Sequence, residues 1–254
     1  MALKASRKSR QVSRRTYVVT ALVIAGLLIA GAEVARRTFL GEEAPRRLPD
    51  DRSEAILYVA LGDSTVYGVG AEAPENNYVS RLYERLRGVY PRARLMNLGV
   101  SGATAADVAQ AQLRSAVAQR PDLVTLSVGP NDITRGRDAR EYERDIETIL
   151  ATLARETAAV IVVNLIPDLA VTPRFRGREV SLSIGRRVTL FNDALTSHAR
   201  AHNAAVVDLY TPSQREVPQQ PQLIAADGYH PSDQGYARWA ELMWRGVEAR
   251  MARD

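Results

Sequence analysis

An α/β fold, with a five-stranded parallel sheet covered by helices on both faces, follows from three features of this 254-residue sequence. Five short apolar runs recur from Ile56 onward, four of them rich in Val, Ile and Leu. Longer amphipathic stretches alternate with these runs, and the connections are short. Continuous apolar runs are the pattern of strands buried on both faces, and strand–helix alternation is the pattern of parallel crossover units.

Residues 1–35 read as a basic leader and an apolar segment. Lys4, Arg7, Lys8, Arg10, Arg14 and Arg15 precede an uncharged run from Tyr17 to Ala32. That order suits a secretory signal or an amino-terminal membrane anchor, and Ala30-Gly31-Ala32 fits a small-x-small cleavage pattern. Sixteen residues of helix span about 24 Å, short of a hydrocarbon core of about 30 Å. Val34 and Ala35 lengthen the segment if flanking charges snorkel. Ser13-Arg14-Arg15-Thr16-Tyr17 also loosely resembles a twin-arginine signal. Either way the body is expected to be exported, as a secreted protein or one anchored to the membrane by an uncleaved segment. Residues 36–53, charged and carrying Pro45 and Pro49, read as a linker, and 54–254 as the catalytic domain.

Within that domain, strands are expected at 56–61, 93–98, 122–128, 159–165 and 204–209. Helices are expected at about 77–89, 104–118, 138–157, 185–202 and 232–251. Over 138–157, Tyr142, Ile146, Ile149, Leu150 and Leu153 recur at helical spacing, with Glu141, Glu143 and Arg144 opposite. The irregular stretches 166–184 and 210–231 are expected over the carboxyl edge of the sheet, where substrate loops belong.

Composition narrows the function. The net charge of +5 sits in residues 1–53, which carry 11 Lys and Arg against 5 Asp and Glu; the rest carries 23 against 24. The body therefore lacks the basic surplus of a nucleic-acid binder. With no cysteine there is neither a disulfide nor a thiolate metal site.

Four segments follow strands or enter the last helix: Gly62-Asp63-Ser64, Asn97-Leu98-Gly99-Val100-Ser101-Gly102, Gly129-Pro130-Asn131-Asp132 and Asp227-Gly228-Tyr229-His230. Acyl transfer from an ester needs a nucleophile, a base, a group that orients the base, and donors for the developing oxyanion. Ser64 at the end of the first strand can be the nucleophile. His230 can be the base, and Asp227, three residues earlier, can fold back to its Nδ1. Gly102 lets the backbone approach a carbonyl, and the Asn131 amide can donate. Read singly, each segment is an ordinary turn: Gly-Asp-Ser and the two glycine blocks as turn formers, Asp227 as an Asx-turn residue.

In this order, at strand ends, the four blocks resemble the SGNH (GDSL-type) hydrolase family over roughly residues 55–250. The resemblance implies a three-layer, flavodoxin-like α/β/α domain. It implies Ser64 as nucleophile, His230 as base and Asp227 as its partner. Ser64 N–H, Gly102 N–H and the Asn131 side chain would form the oxyanion hole. The expected activity is hydrolysis of carboxylic esters through an acyl-enzyme, with no cofactor or metal. A lipid or lysophospholipid ester fits a membrane-proximal domain, with Val66, Tyr67 and Val69 lining an acyl pocket. O-acetyl groups on surface glycans fit export equally well. Two rivals are an acyltransferase using the same acyl-enzyme and a non-catalytic glycan-binding protein on the same fold.

Other signals are weaker. His198 and His202 stand four apart on an expected helix, a metal-binding spacing, but Ala-Arg-Ala between them supplies no further ligand, so they read as a solvent-facing pair. Gly68-Val69-Gly70 lacks the third glycine of a dinucleotide loop, and no G-x-S-x-G elbow occurs. Arg174, Arg176, Arg178, Arg186 and Arg187 read as a solvated face, with an anionic head-group site as the lesser alternative.

Overall fold

The computed structural model describes residues 44–251. The leader and apolar segment read at 1–35 lie outside the described residues. Five parallel strands form one sheet in the order β2-β1-β3-β4-β5: β1 (Leu57–Gly62), β2 (Arg94–Asn97), β3 (Leu123–Ser127), β4 (Val160–Asn164) and β5 (Ala205–Val207). β2 to β5 lie within the expected spans, and β1 runs one residue past its own, to Gly62. This is the flavodoxin-like order, which reverses direction between β1 and β3 and so opens a crevice at their carboxyl ends.

The strands alternate sides in a way their residue types explain. Val59, Leu61, Val124, Leu126, Ile161 and Val163 pack on one helical layer, while Tyr58, Ala60 and Val162 pack on the other. The first layer holds α3 (Ala105–Ala118), α5 (Ala139–Glu156) and α6 (Ser181–Ala201). The second holds α2 (Tyr78–Val89) and α8 (Asp233–Glu248), whose Tyr78 and Trp239 rings stack 5.3 Å apart. In α5, the expected stripe of Tyr142, Ile146, Ile149, Leu150 and Leu153 is fully buried, and Asp138 and Glu141 close a capping box. Tyr142 stacks on Phe191 of α6 at 4.4 Å, so α5 and α6 lie side by side.

Three shorter helices were not expected from the sequence: α1 (Ser64–Tyr67), α4 (Pro130–Thr134) and α7 (Tyr210–Gln219). α7 buries no residue, so it leaves no apolar period to read. Its Pro212 falls in the first turn, where proline is tolerated, and Pro218 in the last. α3 is interrupted at Val108–Gln112 by a π turn, which brings Gln112 to face inward.

The linker reading also changes, because residues 45–53 lie against the body. Leu48 is buried in the core on the α2–α8 side, and its N–H donates to Arg250 O at 2.8 Å. Arg46 donates to Ala154 O and Thr157 O at the end of α5, at 2.6 and 2.7 Å, where a cation also complements the helix dipole. Tyr90 Oη donates to Pro49 O at 2.7 Å. This strap crosses the amino edge of the sheet. No helix among the described residues is long and apolar enough to cross a membrane.

Candidate active site

The carboxyl ends of β1 and β3 come close enough to demand glycine. Gly62 sits at φ +147°, and a Cβ there would lie 1.9 Å from Ser127 O. Gln112 grips this residue from the π turn: its Oε1 accepts Gly62 N–H at 2.9 Å and its Nε2 donates to Gly62 O at 2.8 Å. Both ends of a buried amide are thereby satisfied, and the strand terminus is fixed. Asp63 then caps α1, its Oδ1 accepting from Thr65 N at 2.9 Å and Thr65 Oγ1 at 2.8 Å. Ser64 is thus the first residue of α1, buried apart from a 6% exposed surface.

Opposite Ser64 stands the turn 227–230. Asp227 Oδ1 accepts the backbone N–H groups of Tyr229 and His230 at 2.9 and 3.0 Å. Its Oδ2 lies 2.5 Å from His230 Nδ1, and His230 Nε2 lies 2.9 Å from Ser64 Oγ. The Asx turn and the imidazole contact therefore coexist, one carboxylate oxygen serving each. Burial pulls the Asp227 carboxyl upward, but the bonds from the His230 ring and the two N–H groups outweigh it and hold the pKa below its ordinary value. An ionised Asp227 accepting from Nδ1–H leaves the Nε2 lone pair for a hydroxyl proton. The Tyr229 ring meets the His230 ring edge-on at 5.0 Å, and Arg174 lies over Tyr229 at 5.0 Å.

Gly102 and Asn131 lie in two loops that are tied to each other and to α1. A Cβ on Gly99 would meet Tyr67 N and the Val66 side chain at 2.7 Å, so this loop abuts α1 directly. Asn97 Nδ2 donates to Val66 O at 2.8 Å. Asn131 Nδ2 donates one proton to Ala103 O at 3.0 Å, leaving its second for another acceptor. Arg135 donates to Gly102 O at 2.8 Å. Among the described residues no backbone acceptor takes the N–H of Ser64 or of Gly102.

Three positioning residues escaped the sequence reading. Asp132 stood in the third block without a role. It is fully buried, and it joins the loops by accepting Ala105 N–H at 3.0 Å and Arg137 at 2.7 Å. Burial nevertheless leaves its pKa raised. Gln112 and Arg135 gave no signal, since each acts on a backbone distant in sequence. Asp63 is also wholly buried, and burial pushes its carboxyl up to about 6 despite the Thr65 bonds.

The expected acyl-pocket residues are not where the pocket is. Val66 is fully buried in the core, Tyr67 is exposed, and Val69 O accepts from Tyr236 Oη. The cavity beside Ser64 and His230 is lined instead by Leu169, Leu209, Val217, Ile224, Trp239 and Leu242. Much of this lining comes from α7, α8 and the loop after β4. The arginines divide: Arg174 stacks on Tyr229, and Arg187 lies over Phe191.

His198 and His202 do have a third neighbour. Glu147 of α5 places Oε2 2.7 Å from both His198 Nδ1 and His202 Nε2. This group lies apart from Ser64, on the outer surface of α5 and α6.

Comparison with known proteins agrees with the geometry. Residues 60–238 match the GDSL-like Lipase/Acylhydrolase family. A GDSL-like esterase of Mycobacterium tuberculosis is 30% identical over 206 residues, covering 78% of this chain and 62% of that protein. This chain therefore aligns with less than two thirds of that relative's length. The acetylxylan esterase of Geobacillus stearothermophilus is 25% identical over 212 residues, covering 76% of this chain and 94% of that one. Among solved structures, TesA superposes with a TM-score of 0.62 at 22% identity, over 76% of this chain and 98% of that one, a likeness of fold. With the family pattern spanning most of its length and its four blocks set at the carboxyl edge of a flavodoxin-like sheet, this chain belongs to the GDSL-like lipase/acylhydrolase family.

Proposed function

We propose that this protein is an exported serine esterase in which Ser64, His230 and Asp227 act as a triad. The observation that carries this reading is the hydrogen-bonded series Asp227 Oδ2–His230 Nδ1 and His230 Nε2–Ser64 Oγ, at 2.5 and 2.9 Å. Ser64 Oγ attacks the ester carbonyl carbon while Nε2 takes the hydroxyl proton, and Asp227 stabilises the imidazolium that forms. The oxyanion is met by the N–H groups of Ser64 and Gly102 and by the second amide proton of Asn131. Nε2 returns its proton to the departing alkoxide, leaving an acyl-enzyme. Water, deprotonated by the same nitrogen, then releases the acid and restores Ser64.

The apolar lining beside Ser64 supports a substrate with an apolar group of several carbons, as in a lipid or lysophospholipid ester. A second reading, an O-acetylated glycan, draws support from the acetylxylan esterase relative. Export rests on the basic and apolar pattern of residues 1–35. The test uses the full chain beside Ser64→Ala on aryl esters from acetyl to palmitoyl, with fluorophosphonate labelling. Ser64-dependent hydrolysis that rises with chain length supports the lipid reading, and an acetyl optimum supports the glycan reading. Labelling without hydrolysis points to a transferase that needs its acceptor. Wild-type protein that neither labels nor hydrolyses any ester refutes the proposal.

A further inference from the structure

A second cluster of chemistry-bearing side chains lies between α5 and α6, remote from Ser64. His198 lies in the last turn of α6 and His202 is its C-cap residue, four positions on, while Glu143 and Glu147 are one turn apart on α5. Glu147 Oε2 lies 2.7 Å from His198 Nδ1 and 2.7 Å from His202 Nε2. Behind this face, His198 Nε2 lies 3.4 Å from Glu143 Oε1. The two helices are held at this spacing by the buried Tyr142–Phe191 stack and by Ile146, Ile149, Leu195 and Ala199 beneath. The platform is therefore rigid, while the imidazoles remain about one-fifth exposed and reachable from solvent.

The convergence of these groups on one point is the decisive feature. One ring nitrogen of each histidine is aimed at the same carboxylate oxygen, Glu147 Oε2, so two imidazole nitrogens and a carboxylate face a common centre. On its far side His198 Nε2 faces Glu143, the arrangement in which a carboxylate holds the second N–H of a metal-bound histidine and fixes its tautomer.

We propose that Glu147, His198 and His202 form a site for one divalent transition-metal ion of the zinc type, with Glu143 orienting His198. The three ligand atoms already lie within 4.8 Å of one another. A tetrahedral zinc with bonds of about 2.0–2.2 Å sets its ligand atoms roughly 3.3–3.5 Å apart, so the half-exposed Glu147 needs to retreat by less than about 1 Å. Two imidazoles and a carboxylate select zinc, nickel or copper over calcium and magnesium. Water fills the fourth position. Because Glu147 comes from α5 and the histidines from the last turn and C-cap of α6, the ion clips two helices of one layer together.

The test is isothermal titration of chelator-treated full chain with zinc chloride, followed by Co2+ absorption and thermal melts. One equivalent should bind with a Kd on the order of 1 μM or tighter, and Tm should rise with zinc concentration by mass action. His202→Ala and Glu147→Gln should each weaken binding at least tenfold, and Glu143→Gln by about tenfold. Circular dichroism of the metal-free variants checks that they fold as the wild type does. A wild type that takes up no zinc, or His202→Ala or Glu147→Gln variants that bind as tightly as it does, would overturn the site.

Discussion

At the carboxyl edge of the sheet, polar groups are buried with bonding capacity left over. Asp63 Oδ2 is buried without a hydrogen-bond partner, the Ser64 and Gly102 N–H groups point at no backbone acceptor, and the Asn131 amide keeps a free proton. At the amino edge the same kinds of group are matched. Arg46 gives its guanidinium to the carbonyls of Ala154 and Thr157, Leu48 N–H meets Arg250 O, and Arg47 donates to Met251 O at 2.8 Å. A fold gains stability where its polar groups find partners, and reacts where some are left for a substrate to complete. The two edges divide these tasks.

The comparison breaks first in turnover. Asp227→Asn should lower kcat by roughly 10⁴-fold, because the amide favours the wrong His230 tautomer; ester hydrolysis by a variant with an unaltered melting curve measures it. Asn131→Ala should cost about 10²–10³ in kcat with little change in KM, the signature of a donor used mainly in the transition state. Asp63 links the site to stability. Its folded pKa of about 6 exceeds the ordinary 3.8, so the folded state holds the proton more tightly. Its contribution is fully present below about pH 4 and is lost as pH rises through 6, a change of about 3 kcal/mol. The difference in urea-unfolding stability between wild type and Asp63→Asn should shift by most of that amount, roughly 2 kcal/mol, between pH 4 and 7; a constant difference would contradict it. At the other edge, Arg46→Ala should cost about 1 kcal/mol, read as a Tm lower by a few degrees, while kcat at 25 °C holds.

How legible each part was depends on how far apart its partners lie in sequence. The three central strands were legible because a parallel sheet buries both their faces and leaves apolar runs, whereas the edge strand β2, with Arg94 and Asn97 exposed, was legible mainly from its place between two helices. Asp227 and His230 were legible because three residues and a glycine suffice to bring them together. Gln112 was not, since its work on Gly62 depends on a π turn that adds one residue to a helix without marking the sequence. Glu147 was hidden by the same distance: its own helix announced itself, but which residue of α6 it would face depended on how two helices pack. Val66 was misplaced as a pocket residue because it follows Ser64 closely in the chain yet turns into the core. The strap over 45–53 looked like a linker because its charges bond backbone carbonyls, which no pattern of side chains reveals.

The strap has a further consequence. Since Leu48 N–H bonds Arg250 O, the first and last described turns of the body are neighbours, on the edge away from Ser64. The order in which the chain visits its strands can therefore be changed while the architecture is kept. Joining Met251 to Pro45 through a few flexible residues and opening new ends at the exposed Gly136 turn would give a circular permutant with the same sheet. In that permutant Ser64 and His230 would no longer lie near opposite ends of the polypeptide. They would be joined through the new linker by a much shorter stretch of chain, and the sheet would still bring them together across the crevice.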